Sequence, residues 1–451
     1  MLDKENAHAR TGIFMIDASK GYMKDGPKNR LRSQDLHKIV DVFNKQLEVD
    51  RYSRIVSTAE IADRKNDFNL NIPRFIDSSE PEDLQDLHAH LHGGIPDRDL
   101  DALSGYWDAF PQLRGQLFKL NRPGYSDLTI DVGDVQQAIL DSPEFQKFAD
   151  SARGLTTEWF NSHRGLLAKI DADTRPNLLI GAISDDLLAR FKSVPLLDEY
   201  DVYEQLMGYW HSSMHDGVFL IMNEGWRAAG KPRAAIEDKD RKISENPDLV
   251  IGTGKIAVKL KTDLIPPALI VSRFFPDSQL RVEELKVILR AASQAVEEYA
   301  AEYGSDEGLL SDTINDKGKF TQAAVKDALK IAKSAYDEET LVCAKTALVL
   351  LQAELVAKKE AQGAEEALNI ATLNKYDDLT DEDIHTLVLD DKWASTVHDR
   401  IINEVHALTL DLVGRIQQLG ERYAETAGAL DIELERLDFQ VAQHLSDMGV
   451  R

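Results

Sequence analysis

Apolar and polar positions change period several times along the chain, and each change marks a different kind of element. Near the start, Ile13, Phe14, Met15 and Ile16 follow one another and end in Asp17, Ala18 and Ser19. A short β-branched and aromatic run predicts a buried strand of a parallel sheet covered on both faces, although at this length a helix is also open. A polar loop rich in Lys, Gly and Pro follows; Leu36, Ile39, Val40 and Phe43 then recur at helical spacing, with Ser33 placed as N-cap. Tyr52 to Val56 predicts a second strand, and Ser57 and Thr58 cap a brief helix. Phe68 to Phe75 alternates at period two until Pro73. A β-α-β-α-β run is too small to cover both faces of its strands, so residues 1–77 are expected to be the late edge of a larger α/β sheet.

The pattern then turns helical. Leu84, Leu87 and Leu91 share a helical face that closes at Gly93 and Gly94, with Pro96 beyond. Leu103, Tyr106, Trp107 and Phe110 form another, broken by Pro111, and two amphipathic helices are predicted between Phe145 and Ala189. Tyr200, Tyr203, Met207 and Trp210 make one aromatic stripe. Short apolar runs at Val218 to Met222, Leu249 to Gly252 and Leu269 to Val271 predict strands of a small mixed α+β insertion. Farther on, Leu341, Ala344, Leu348, Leu351 and Leu355 step by 3 and 4, a heptad seam that wants a partner helix. Beyond the acidic segment from Asp377 to Asp391, Val405, Leu408, Leu412, Ile416, Leu419 and Tyr423 fit a nearly straight helix. Leu430, Leu434, Leu437, Val441, Leu445 and Met448 fit a last one. The expected division is 1–77, 78–335 and 336–451: sheet edge, mostly helical extension, and coiled-coil-like helices.

Composition narrows the function. The chain has 451 residues, 43% of them hydrophobic, and Lys+Arg at 53 against Asp+Glu at 78 leaves a net charge of −25. A net anion gains nothing on average from displacing the counterions of DNA, so any nucleic-acid contact must be local or shared with a more basic partner. One cysteine forbids an internal disulfide and a Cys-clustered zinc site. With no uninterrupted apolar run of membrane-spanning length and no apolar core in MLDKENAHAR, the chain is expected to stay in the cytoplasm.

Few residues offer chemistry. His88, His90 and His92 could ligate a metal from a strand, but the flanking leucines argue for a helix on which only His88 and His92 pair, and surface or capping roles are expected. Gly252 and Gly254 lack the third glycine of a dinucleotide turn, and Ile256 to Leu260 alternates as a strand, so a hairpin turn is expected. The aromatic stripe from Tyr200 and Cys343 both read as core. One basic cluster stands against the acidic background: Lys20, Lys24, Lys28, Arg30 and Arg32, interrupted by Asp25, in the loop after the first strand. It is either a phosphate-contacting loop or a solvated one, and charge pattern alone does not choose.

FMIDAS, NRLRSQDLHKIVDVF, YSRIVSTAEI and FNLNIPRF, in that order and spacing, resemble the end of the catalytic domain of type I restriction-modification DNA methyltransferases, the modification subunits that methylate the amino group of adenine. GGIPDRDLDALSGYW, LLDEYDVYEQLMGYW, DLIPPALIVSRFF and LVLDDKW resemble the long C-terminal extension of one branch of that family. The resemblance implies a Rossmann-like methyltransferase edge, S-adenosylmethionine in the complete enzyme, double-stranded DNA as substrate, and assembly with a specificity subunit and, where restriction accompanies modification, a restriction subunit. The family's glycine-rich cofactor turn and Asn-Pro-Pro-aromatic motif are not found: Pro266 and Pro267 stand between Ile265 and Ala268. The chain from Met1 therefore resembles a portion that follows both motifs, and by itself it is expected neither to bind the cofactor nor to catalyse. The missing catalytic half is then a further expected partner, and Lys24, Lys28, Arg30 and Arg32 are the candidates for DNA-phosphate contact. Leu348, Leu351, Leu355, Leu408, Leu412 and Leu434 are candidates for docking on a partner subunit. The alternatives are a helical scaffold without enzymatic descent and a metal hydrolase built on the three histidines.

Overall fold

The computed structural model describes residues 10–79, 82–236, 245–252, 254, 257–305, 308–315 and 318–448. The chain forms two compact units: one from Met1–Lys169, Thr174–Asp216 and Trp393–Arg451, the other from Ile170–Asp173 and Gly217–Lys392.

In the first unit, the expected first strand is Gly12–Ile16, but it pairs antiparallel with Ser53–Ser57, in the register Gly12 to Ser57 and Ile16 to Ser53. The parallel, doubly covered strand is thus corrected: Met15 and Val56 pack on Ile61, Phe75 and Ile76, while Ile13 and Ile55 remain exposed. The predicted third strand is absent among the described residues. Asp67 and Phe68 take positive φ and Ile72–Arg74 is a 3-10 turn opened by Pro73, so the alternation in FNLNIPRF has no ladder to join. Ser57 caps helix Thr58–Ala62 as expected, accepting from the Glu60 N–H. Ser33 does not cap: helix Ser33–Lys45 begins with it, and Asp35 reaches back to accept from the Arg32 N–H at 2.8 Å.

Helix Leu87–His92 starts from Asp86, leaving Leu84 outside it, and ends at Gly93 and Gly94, whose φ of 75° and 80° no β-carbon would favour. A three-stranded antiparallel sheet, Ile95–Pro96 with Tyr125–Leu128 and Phe118–Arg122, lies where only helices were expected. The core is built by helices Pro143–Leu167, Pro176–Phe191, Glu199–Tyr209 and Ser395–Ala424. Tyr200, Tyr203, Met207 and Trp210 are buried in it, as are Val405, Leu412, Ile416, Leu419 and Tyr423. Asp83 fixes the segment before helix 87–92 by accepting from Arg415, at 2.8 Å, and from Arg422. These two guanidiniums hold its carboxyl well below the usual range.

In the second unit, two of the predicted strands are helices. Val218 to Met222 lies in His215–Glu224, which begins in the first unit, and Leu269 to Val271 lies in Pro267–Phe274. Buried helices and buried strands share short apolar runs, so the run alone could not separate them. Leu249–Ile251 is a strand, paired with Val258–Lys261, which also pairs with Arg233–Ala234. Gly252 and Gly254 both have positive φ in the turn between Leu249–Ile251 and Val258–Lys261; Ile256 lies outside the described residues.

The long helix Glu338–Asp377 runs antiparallel to Pro276–Tyr303. Lys286 bonds Glu365 and Ser293 bonds Glu354, while the Tyr299 hydroxyl donates to the Cys343 carbonyl. Val296, Ala300, Leu310, Phe320, Val325, Cys343, Ala344 and Ala347 form its core. By length and composition helix Glu338–Asp377 could cross a membrane, which a count of uninterrupted apolar residues did not find.

Candidate nucleic-acid interface

The basic loop is an ordered hairpin. Met23–Asp25 pairs antiparallel with Lys28–Arg30, Lys24 facing Asn29 and Asp25 facing Lys28, across a turn in which Gly26 has a φ of 60°. Paired residues share a face, so Lys24 lies on one side and Lys28 and Arg30 on the other. Lys24 donates to the Asn29 side chain at 2.8 Å and stands 5.4 Å from the ring centre of Tyr22. Arg30 lies 3.8 Å from Asp25, a weak exposed pair. Lys24, Lys28 and Arg30 are all exposed. Arg32 is set apart: both ends of its guanidinium bond the Asp35 carboxylate at 3.0 Å, so its charge is matched within the chain.

The root of the hairpin is pinned by Asp17. Its carboxylate is buried, accepts from the Ser19 N–H at 3.0 Å and the Ser78 hydroxyl at 2.7 Å, and is held below its ordinary pKa by those bonds, Ser78 first. Sequence reading took Asp17 only as a strand end. Its signal was the DAS triplet, an acceptor followed by a small residue and a donor where a buried strand leaves the core.

Helix 33–45 is inverted relative to its hydrophobic pattern. Gln34, Asp35 and Val42 are buried, while Leu36, Val40 and Phe43 are each about half exposed, at 52%, 55% and 52%. The covered side meets helix 199–209 through polar groups. Glu204 accepts from the Gln34 N–H at 2.9 Å, Lys38 pairs with Asp198 at 2.7 Å, and the Tyr200 hydroxyl donates to Asp41 at 2.9 Å. Burial raises Asp201, which accepts from the Gln34 side chain. The apolar side, with Leu47 beyond it, faces solvent.

The docking candidates separate into three groups. Leu348 and Leu351 are half-buried against the core of the second unit, Leu408 is half-buried and Leu412 buried in the first, and Leu355 and Leu434 are exposed. All of helix Ala427–Asp447 whose burial is described is exposed. The rings of His88 and His92 lie 4.8 Å apart, while the His90 ring lies tilted, 5.0 Å from that of Tyr423, and meets Gln85. Among the described residues no group of three or more His, Cys, Asp or Glu is placed to hold a metal. Among the described residues the two glycine and proline candidates do not form a methyl-donor cofactor site: the half-buried Gly252 and the exposed Gly254 lie between two strands, and Pro267 opens a helix after the buried Ile265.

Residues 1–84, the segment carrying the hairpin and the inverted helix, match the N-6 DNA Methylase family model. The curated relatives are named as type I restriction enzyme methylase subunits. MjaVII of Methanocaldococcus jannaschii is 35% identical over 95 residues, which cover 20% of this chain and 16% of that protein. MjaVIII of the same organism is 30% identical over 126 residues, covering 27% and 20%, and MpnII of Mycoplasma pneumoniae is 27% identical over 89, covering 20% and 16%. No solved structure matches the chain. Over these segments the chain is similar to the methylase subunits of type I restriction enzymes and to N-6 DNA methylases. It spans no more than a fifth of the length of these curated relatives.

Proposed function

We propose that this chain is the C-terminal portion of a type I modification subunit, acting in S-adenosylmethionine-dependent methylation of adenine in double-stranded DNA. In this reading residues 1–77 are the edge of a Rossmann-like methyltransferase sheet, completed by a catalytic part that carries the cofactor and Asn-Pro-Pro-aromatic motifs, whether joined to this chain or separate. The observation that carries it is the uncovered apolar face of helix 33–45, in the segment matched to the methylase family. Leu36, Val40 and Phe43 lose apolar burial by facing water, and beside them strands 12–16 and 53–57 form a sheet of two strands among the described residues. A larger sheet would cover that face and add to an open edge.

The basic hairpin then sits at the end of a strand, where it can hold phosphates and position the duplex without reading its sequence. Helix 427–447, with Leu434 on its exposed face, is the surface we assign to the specificity subunit. The assembly acts on DNA in the same compartment, the cytoplasm.

The test is reconstitution with a polypeptide carrying the catalytic motifs. Leu36→Glu with Val40→Glu should leave the isolated chain folded, because both positions are solvent-facing, and abolish co-purification and adenine methylation by the mixture. Methylation by the isolated chain, or undiminished assembly of the double variant, would overturn the proposal.

A further inference from the structure

Helix 338–377 carries a second seam on the side away from its core. Val342, Thr346, Val349, Ala353, Val356, Glu360, Gly363, Ala367, Ile370 and Asn374 step alternately by 4 and 3 over four repeats, and every one of these positions is exposed. Val342 and Val349 are 60% and 69% exposed, Val356 and Ile370 43% and 42%. The opposite side of the same helix is committed within the chain, through Cys343, Ala344 and Ala347 in the core, Glu354 on Ser293 and Glu365 on Lys286. A heptad seam of small and β-branched residues with its other face already packed is built for one more helix.

We infer that this seam pairs with the same seam of a second copy of the chain, the two helices 338–377 lying antiparallel. Charge complementarity selects this occupant. The positions beside the seam on its open flank are Lys345, Gln352, Lys359 and Glu366, all exposed, and among the described residues Lys345 and Glu366 make no ion pair within the chain. An antiparallel pair centred between Ala353 and Val356 sets Lys345 of each copy beside Glu366 of the other, and Gln352 beside Lys359. The seam layers are then Val342 on Ala367, Thr346 on Gly363, and Ala353 on Val356, each setting a larger side chain against a smaller or equal one. From Val342 to Ala367 the contact runs about 38 Å at ~1.5 Å per residue. Glu360, opposite Val349, is the one charge in the seam. A polar group at a single seam position fixes register at a cost in affinity.

Sedimentation equilibrium of the full chain across the micromolar range tests this. The native chain should dimerise, and Val349→Glu should make it monomeric with an unchanged circular dichroism spectrum. Lys345→Glu and Glu366→Lys should each weaken the dimer on the order of tenfold. Combined, they should restore it, since the pair is only reversed, and Glu360→Leu should tighten it. A native chain that stays monomeric overturns the inference, as does a dimer indifferent to Val349→Glu or a double reversal that fails to restore. Flotation with lipid vesicles covers the other occupant such a helix could take: a monomeric chain that floats, and loses flotation in Val349→Glu, would give the seam to a membrane surface instead.

Discussion

Replacing Leu412 by alanine separates an interior role for helix 395–424 from a docking role. Leu412 is 1% exposed and borders an apolar gap shared with Phe110, Ile139, Phe145 and Val405. Three carbons leave the core, worth about 2.4 kcal/mol at ~0.8 kcal/mol for each. The walls are helices that collapse only in part, and a residual cavity of roughly 50 Å³ adds about 1.2 kcal/mol. The expected loss is therefore about 3.5 kcal/mol. Leu434 is 60% exposed, and its replacement by alanine should cost under about 0.5 kcal/mol. Urea unfolding followed by tryptophan fluorescence reads the difference, because Trp107, Trp159, Trp210 and Trp393 lie in the unit that holds Leu412 and only Trp226 in the other. A loss below about 1 kcal/mol for Leu412→Ala, or an equal loss for Leu434→Ala, would refute the reasoning.

Two further outcomes are expected. In the reconstituted enzyme, alanine at Lys24, Lys28, Arg30 and Arg32 should weaken DNA binding alike for all sequences and reduce the salt slope by about 0.9 for each phosphate no longer neutralised; Arg32→Ala alone should matter least, because Asp35 already holds that side chain, and an unchanged slope would leave the hairpin merely solvated. Burial raises the carboxyls of Asp201 and Glu404, so the folded chain binds their protons more tightly than the unfolded chain does, and stability from this source is highest below about pH 4 and is lost as pH rises through the raised values. Asp201→Asn and Glu404→Gln should therefore raise the melting temperature near neutral pH and hardly change it near pH 4, and a lowering at neutral pH would contradict this.

Much of the helical framework was legible because its periods are long: the stripe from Tyr200 to Trp210 and the steps from Val405 to Tyr423 each repeat often enough to fix a buried face. Short runs were not. Val218 to Met222 and Leu269 to Val271 carry too few positions to show a period, and the structure makes both helical. The alternation at Phe68 to Phe75 failed for another reason, since a strand needs a neighbour, and Asn71 to Phe75 folds into a local turn instead. At the candidate site, the sequence located the basic cluster, as a loop, but not its hairpin pairing, its root at Asp17 or the commitment of Arg32 to Asp35. Helix 33–45 is the instructive case. Its hydrophobic face was read correctly as a face, but Gln34, Lys38 and Asp41 form a second one, and in this chain the polar face found a partner while the apolar face did not.

The exposed helix 427–447 has a kinetic consequence for whatever it meets. Its main packing partner within the chain is the short helix 87–92, and a 21-residue helix with so little tertiary packing keeps only the modest stability of an isolated helix in water, because most helical stability in proteins comes from a packed face. Part of the free energy of any encounter is then spent on ordering this segment, so a large apolar contact yields a complex that still comes apart. A segment of this kind permits exchange: a partner can bind it and leave without unfolding the buried helix 395–424 to which it is joined.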